Sequence, residues 1–322
     1  MTGAARIILH NRETSGLRDR LSARFPHVSV KCCETYDALP ALVEGFKPDV
    51  IYSVRFDGTP GFPKDAMFSD GGPAWIANGG AGTDHFGNWD TARFTVTNAA
   101  GVAADMMAEY VMGGFLHFTL DVPGFQADKA ARYWGARLVR PLRGKTLLII
   151  GLGHTGQAVA ARAKAFGMTV VGTRARPAPM DNVDQVEAAS ALPSLLPKAD
   201  FICVCTPLTP ATKGLLGEAE FEAMKPGVFL VDVSRGSVID QMALLSALRV
   251  GKVAGAALDV FETEPLPTDS PLWEVENLII SPHCSSVFSG WEEASFDLFL
   301  DNLDRWLLGQ PLVNIVDPDR GY

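Results

Sequence analysis

The stretch Thr146-Leu-Leu-Ile-Ile-Gly-Leu-Gly-His-Thr-Gly156 decides the fold of this 322-residue chain, because an apolar strand-like run leads directly into a glycine-rich turn. In a mononucleotide-binding turn the first glycine permits a tight bend, the second lets the backbone approach a pyrophosphate, and the third lets the following helix pack on the strand. The first amides of that helix then hold the phosphates. A glycine-rich turn without a ligand is the alternative. The predicted cofactor-binding residues here are Gly151, Gly153, His154, Thr155 and Gly156.

The second strand-like run, residues 168–176, bears on the choice of cofactor. About 20 positions after such a turn, an acidic residue would hydrogen-bond the free hydroxyls of an adenosine ribose. This chain instead has Thr173, Arg174 and Arg176. A guanidinium pairs bidentately with phosphate, so the pattern predicts NADP in preference to NAD. The alternative is that both arginines are solvated loop charges.

Length and periodicity predict two α/β domains. A chain of 322 residues exceeds what one core usually serves. Strand-like and helix-like runs alternate from Arg6 to Val54 and again from Leu147 to Ile280, which is typical of doubly wound parallel sheets. The apolar segment Ala103–Leu120 is long enough for a buried helix at a domain crossing, and a last helix is predicted over Trp291–Leu308.

Charge and composition exclude several classes of protein. The net charge of −9 argues against a nucleic acid partner. Apolar runs are interrupted by glycines and are shorter than the roughly 20 residues of a membrane span. We see no signal peptide, and the five cysteines form no CxxC pair. These features predict a cytoplasmic protein with reduced thiols and without a membrane segment.

Three segments that follow strand-like runs each carry a side chain suited to hydride transfer onto a 2-oxo acid: Arg235, Glu264 and His283. Open α/β sheets bind ligands at this end of their strands. Arg235 has helix capping or pairing with Asp240 as its alternative, and Glu264 has that of an ordinary loop carboxylate. His283 is not predicted to ligate a metal with Cys284, because adjacent residues seldom chelate one ion. No metal site is expected.

With these motifs in order, the chain resembles the D-isomer-specific 2-hydroxyacid dehydrogenase family over most of residues 50–286. The resemblance implies a Rossmann nucleotide domain (101–286) inserted into a flavodoxin-like substrate domain (1–100 and 287–322), with the active site in the cleft between them. The motifs that carry it are Gly151–Gly156, Thr206–Thr212, Met224–Gly227, Ser234–Gly236, Leu258–Val260 with Glu264–Pro265, and Ser281–His283.

The resemblance also implies roles for the polar residues. Arg235 would hold the substrate carboxylate and polarise the 2-oxo oxygen, and His283 would hand that oxygen a proton. Glu264 would lie beside His283, where its negative charge favours the charged imidazolium. The implied reaction is reduction of a short 2-oxo acid, such as glyoxylate or hydroxypyruvate, to a D-2-hydroxy acid with NADPH or NADH. Formate or phosphite oxidation in a very small pocket remains open.

Further contacts follow from the same resemblance. Thr206 would lie along the cofactor ribose, and Asp259 would contact the nicotinamide carboxamide, with a purely structural hydrogen bond as the alternative. A backbone-amide nest for the substrate carboxylate is predicted in the glycine-rich loop after residue 78, with a mere tight turn as the alternative. Arg55 would be close to the substrate, or else form a surface salt bridge. The predicted substrate-binding residues are therefore Arg55, Gly80, Ala81 and Gly82.

Two residues depart from the usual pattern of the family. Asp232 stands where the family usually has asparagine, and Cys284 follows the histidine in place of a small apolar residue.

Family members commonly dimerise through their nucleotide domains, so a homodimer is expected, with Met106–Leu120 and Trp134 at the interface. A cofactor-sensing binding protein of the same fold, without significant turnover, is the alternative to an enzyme.

Overall fold

The computed structural model describes residues 4–56 and 59–318. Contacts between residues divide the chain into two compact units, one of Met1–Val102 with Ser289–Tyr322 and the other of Ala103–Phe288. Each unit contains one parallel sheet covered by helices, and the predicted α/β fold class is confirmed. None of the described helices is long and apolar enough to cross a membrane.

The first unit is built on a five-stranded parallel sheet in the order β2-β1-β3-β4-β5, which is the flavodoxin-like order. The last helix of the chain, α10, belongs to this unit. The described elements are β1 (Arg6–His10), α1 (Ser15–Arg24), β2 (Ser29–Cys33), α2 (Leu39–Phe46), β3 (Val50–Ser53), α3 (Lys64–Met67), β4 (Trp75–Asn78), β5 (Thr95–Thr97) and α10 (Trp291–Leu307).

Both faces of this sheet are buried, so apolar residues follow one another along β1 instead of alternating with polar ones. Ile7 and Leu9 face the cluster that includes Phe296 of α10. Ile8 faces the opposite cluster with Leu39 of α2. Strands β4 and β5 are not predicted from the sequence, because they are short and lie among turn residues.

The second unit is built on a seven-stranded parallel sheet in the order β12-β11-β10-β9-β6-β7-β8. Counted from β6, this is the Rossmann order with one more strand at the edge. Its described elements are α4 (Ala104–Thr119), α5 (Val122–Ala131), β6 (Thr146–Ile150), α6 (His154–Ala165), β7 (Thr169–Thr173), β8 (Gln185–Glu187), α7 (Leu192–Leu195), β9 (Phe201–Val204), α8 (Glu218–Ala223), β10 (Val228–Asp232), α9 (Gln241–Arg249), β11 (Val253–Leu258) and β12 (Leu278–Ile280).

The helix predicted over Ala103–Leu120 is confirmed as α4, and it packs its buried side on the larger sheet. Phe115 of α4 stacks edge-on against Phe201 of β9, with ring centroids 5.1 Å apart. The order of strands reverses between β6 and β9, and this is where open α/β sheets bind nucleotides. The fold therefore places the glycine-rich turn, which follows β6, at this position.

Candidate active site

The glycine-rich turn joins β6 to α6, and the space around each of its three glycines is different. Gly151 has φ +106°, and a Cβ there would lie 2.8 Å from the backbone nitrogen of Thr206. A Cβ on Gly156 would collide with the carbonyl oxygen of Gly151. Beside Gly153, in contrast, no atom lies within 4 Å of where a Cβ would be, and α6 starts there without a side-chain cap. This space at a helix N-terminus fits a pyrophosphate.

The end of β7 lies beside this turn. The Thr173 carbonyl accepts hydrogen bonds from Gly151 N (3.2 Å) and Leu152 N (2.9 Å). Arg174 is half-buried, with its guanidinium 3.3 Å from the sulfur of Met180, and Arg176 is exposed. The residues predicted to select the cofactor thus continue from the strand that flanks the phosphate turn.

Thr206 lies on the other side of the same turn, in the loop after β9. The preceding residue, Cys205, is held by two contacts: its N–H donates to Ile150 O (3.0 Å) and its thiol to Gly151 O (3.0 Å). His154 and Thr155 occupy the first turn of α6, where Thr155 Oγ1 lies 3.6 Å from the sulfur of Met107. The structure therefore brings the predicted pyrophosphate and ribose residues together.

The turn that carries Arg235 follows β10 and packs tightly on a neighbouring loop. Arg235 is half-buried, and its Nη1 donates to Ser234 O at 2.7 Å. A Cβ on Gly236 would collide with the backbone of Phe261 and Glu262. Glycine at this position therefore lets the Arg235 turn lie directly against the loop that leads to Glu264. Asp240, the alternative partner considered for Arg235, caps α9.

Glu264 and His283 form a hydrogen-bonded pair, with 2.9 Å between Glu264 Oε2 and His283 Nδ1. Phe261 N donates to the other carboxylate oxygen at 3.0 Å. Burial raises the pKa of Glu264, but hydrogen bonds from His283 and Phe261 and the charges of His283 and Arg235 hold it below its ordinary value. The side chain of His283 is 40% exposed and that of Glu264 is 37% exposed. The second ring nitrogen of His283, Nε2, is therefore suited to pass a proton to a ligand.

Asp259 is almost fully buried, and its carboxylate accepts hydrogen bonds from the loop that carries His283. Oδ1 accepts from Ser281 Oγ (2.6 Å) and Cys284 N (2.8 Å), and Oδ2 accepts from Ser285 N (2.9 Å). These hydrogen bonds are those expected if Asp259 has a purely structural role. Contact between Asp259 and the nicotinamide stays a prediction.

Asp232, at the end of β10, is buried as well, and its Oδ1 accepts from the backbone N–H (2.9 Å) and hydroxyl (2.5 Å) of Ser234. Burial raises the pKa of Asp232 to about 7, and the charge of Asp259 adds to the rise while the Ser234 hydrogen bonds oppose it. Near neutral pH a large share of this carboxyl is protonated and uncharged. In that form it resembles the asparagine that it replaces.

The predicted substrate-binding residues belong to the first unit. Arg55 is exposed, just beyond β3. In the loop after β4, Asn78 Nδ2 donates to the carbonyl oxygens of Gly80 and Gly82, both at 2.8 Å, and Asn98 Nδ2 donates to that of Ala81 at 2.7 Å. Two buried asparagines thus fix the path of this loop. Binding of a substrate carboxylate by its amides stays a prediction.

Comparison with known proteins identifies the family. Residues 112–285 match the family described as "D-isomer specific 2-hydroxyacid dehydrogenase, NAD binding domain". The chain belongs to this dehydrogenase family. The predicted family, enzyme class and NAD(P) cofactor are therefore confirmed.

Three relatives of the dehydrogenase illustrate the match. A D-3-phosphoglycerate dehydrogenase of Methanocaldococcus jannaschii is 36% identical over 225 residues, which are 69% of this chain and 43% of that protein. A glyoxylate reductase of Korarchaeum cryptofilum is 34% identical over 233 residues, which are 70% of this chain and 69% of that protein. A D-isomer specific 2-hydroxyacid dehydrogenase of Xanthobacter autotrophicus, solved with NADPH and MES, has a TM-score of 0.85 and 30% identity, and covers 99% of this chain and 100% of that one.

Two contacts near the candidate site were not predicted from the sequence. Tyr110 of α4 hydrogen-bonds Ser281, and neither residue was assigned a role from the sequence, although a lone tyrosine hydroxyl in an apolar helix was a signal. No sequence pattern predicted the tight packing of Gly236, because the backbone that it contacts is distant in sequence. Within residues 4–56 and 59–318, no group of three or more His, Cys, Asp or Glu side chains is arranged to hold a metal ion.

Proposed function

We propose that this chain reduces a short 2-oxo acid, such as glyoxylate or hydroxypyruvate, to a D-2-hydroxy acid with NADPH. The observation that carries the proposal is the Glu264–His283 pair, at 2.9 Å, in the same unit as the nucleotide turn and beside the loop that packs on the Arg235 turn. The Korarchaeum glyoxylate reductase supports the choice of substrate class.

Arg235, His283 and Glu264 have different roles in this reaction. The nicotinamide coenzyme, when bound, supplies the hydride to the oxo carbon. Arg235 binds the substrate carboxylate and polarises the oxo oxygen. His283 donates its proton from Nε2 to that oxygen, and Glu264 holds the imidazole at Nδ1. Arg235 and His283 together stabilise the negative charge that develops on the oxygen.

We assign NADPH as the preferred coenzyme because of the chemistry at the end of β7. Thr173, Arg174 and Arg176 offer one hydroxyl and two guanidinium groups there. A guanidinium attracts the 2′-phosphate of NADPH and forms bidentate hydrogen bonds with it. The Xanthobacter family member, which was solved with NADPH, supports this assignment.

We also propose that the protein acts as a homodimer in the cytoplasm. Between α5 and β6, Trp134 and Leu138 have exposed fractions of 102% and 96%, and Tyr133 is 65% exposed. Large apolar side chains exposed close together mark interaction surfaces. A second copy of this chain, contacting this segment, would bury them.

The experiment that tests the proposed function follows the absorbance of NADPH and NADH in the presence of a panel of 2-oxo acids. We expect oxidation of NADPH with glyoxylate or hydroxypyruvate, because these acids are small and carry the carboxylate that Arg235 would bind. Binding of NADPH, measured by calorimetry, without turnover of any acid would instead favour the cofactor-sensing protein.

A further inference from the structure

A chain of three hydrogen-bonded side chains links α4 to the loop that carries His283. The Tyr110 hydroxyl lies 2.7 Å from Ser281 Oγ, and Ser281 Oγ donates to Asp259 Oδ1 at 2.6 Å. Serine has a single hydroxyl proton, and here that proton is directed at the carboxylate. Tyr110 must therefore donate to Ser281. Both donors act in one direction, towards the negative charge of Asp259.

Asp259 in turn binds three consecutive backbone amides of the catalytic loop. His283 N donates to the carbonyl oxygen of Asp259 at 2.8 Å, Cys284 N to Oδ1 at 2.8 Å, and Ser285 N to Oδ2 at 2.9 Å. His283 itself has φ +53°, in the left-handed region that residues with a side chain rarely adopt. Such a conformation persists only where its surroundings hold it. The bonds to Asp259 provide that support.

We propose that Tyr110, acting through Ser281, is a positioning residue that holds Asp259 and thereby the orientation of the His283 imidazole. The inference rests on the proposed function, in which His283 donates the proton. A proton donor that shifts by a fraction of an ångström loses rate, because proton transfer requires a short, aligned approach.

The environment of Tyr110 supports the role of a permanent donor. Burial raises the pKa of Tyr110 to about 12; its hydrogen bond with Ser281 opposes the rise, and the nearby charge of Asp259 adds to it. The hydroxyl therefore stays protonated at every pH at which the enzyme would work. The ring also packs against the apolar core of the unit, so removal of the hydroxyl alone separates the hydrogen bond from the packing.

The test compares Tyr110→Phe, Ser281→Ala and the double variant. Loss of one neutral hydrogen bond in the chain predicts a decrease of about three- to tenfold in kcat for Tyr110→Phe, with the KM for NADPH changed by less than about twofold. Because both hydroxyls act on the same carboxylate, the double variant should be about as slow as Ser281→Ala alone. Thr119→Val, which removes another buried hydroxyl from α4, is the control and should keep wild-type kcat.

A second readout does not depend on turnover. The Cε1–H signal of His283, assigned by its loss in His283→Gln, should shift or broaden in Tyr110→Phe and stay unchanged in Thr119→Val. An unchanged signal in Tyr110→Phe, or rate losses that multiply in the double variant, would overturn the positioning role. If the wild-type protein does not oxidise NADPH with any of the 2-oxo acids, the proposed function fails. The signal of His283 then decides alone whether Tyr110 positions the imidazole.

Discussion

Two carboxylates near the site differ in charge because their surroundings differ. Glu264 is 37% exposed and hydrogen-bonded to His283, which keeps it ionised. Asp232 is 1% exposed, close to the charge of Asp259, and burial raises its pKa to about 7. One carboxylate thus serves as the hydrogen-bond partner of the His283 imidazole, and the other is near the pH at which it loses its charge.

The environment of Asp232 predicts a stability difference that depends on pH. Because its pKa in the folded protein is raised to about 7, the folded state favours the protonated form. Its favourable contribution is complete below the pKa of the unfolded carboxyl and is lost as the pH rises through about 7. Asp232→Asn is neutral at every pH, so it should melt at least about 3 °C above the wild type at pH 8 and close to it at pH 4.

Thermal unfolding across this pH range measures the effect. Asp269→Asn, in an exposed loop, is the matched control and should give the same melting temperature as the wild type throughout. A difference between Asp232→Asn and the wild type that does not vary with pH would contradict the expectation.

Single residues were predictable from the sequence where their chemistry and their position after a strand agreed. Arg235, Glu264 and His283 satisfy both conditions, although their catalytic roles stay predictions. The contact between Tyr110 and Ser281 was not predicted because the two residues are separated by 171 positions, and no local pattern relates them. Their contact depends on how α4 packs on β10 and β11 of the larger sheet, and only the tertiary structure reveals it.

At the scale of elements, the strand–turn–helix unit of β6 and α6 has two glycines with opposite sensitivities. Gly153 has φ −83° and open space around it, so Gly153→Ala should fold normally. Its methyl group would stand where the pyrophosphate approaches, and we expect the Kd for NADPH to rise at least about tenfold.

Gly156→Ala should behave in the opposite way. The added methyl group would collide with the Gly151 carbonyl, so the melting temperature should fall by several degrees. Calorimetric binding of NADPH and thermal unfolding of both variants separate the two effects. Wild-type affinity in Gly153→Ala would contradict the placement of the pyrophosphate.

The end of β7 predicts cofactor preference. Arg174→Asp replaces a cation with an anion, so we expect the KM for NADPH to rise at least about tenfold through repulsion of the 2′-phosphate, while that for NADH rises much less. Arg143→Asp, an exposed change ahead of β6, is the control. An unchanged ratio of the two KM values in Arg174→Asp would show that the arginine does not select the coenzyme.

Sequence periodicity was most informative for the buried strands of the larger sheet. The strands β6, β7, β9, β10, β11 and β12 are apolar runs with turns at both ends, and they correspond to the strand-like runs predicted between Leu147 and Ile280. The edge strand β8 was missed because Gln185–Glu187 is short and not fully buried. Helix α5 was missed because it buries none of its residues and therefore has no apolar face.

At the scale of the whole molecule, the exposed apolar side chains of Trp134 and Leu138, between α5 and β6, predict the oligomeric state. We expect a dimer in sedimentation measurements, because burial of Trp134 and Leu138 removes apolar surface from water. Trp134→Asp combined with Leu138→Asp should give monomers. Leu308→Asp, which changes another exposed leucine in the first unit, should leave the dimer intact. A monomeric wild-type protein would contradict this proposal.

Division into two α/β units was foreseeable because strand and helix signals recur on both sides of α4. The amphipathic pattern of Trp291–Leu307 identifies a helix and not the sheet on which it packs, so only the family resemblance implied that this helix belongs to the first unit. The contacts of Phe296 and Phe299 with Tyr52 show that α10 packs on the smaller sheet.

The central claim is that His283 donates the proton during reduction of a 2-oxo acid. The most direct measurement is the rate of NADPH oxidation with glyoxylate and hydroxypyruvate by the wild type, His283→Ala and the control His27→Ala, which changes an exposed histidine of the first unit. We predict that kcat falls about 10²- to 10⁴-fold in His283→Ala alone, with the affinity for NADPH retained. Turnover by His283→Ala at close to the wild-type rate would contradict the account.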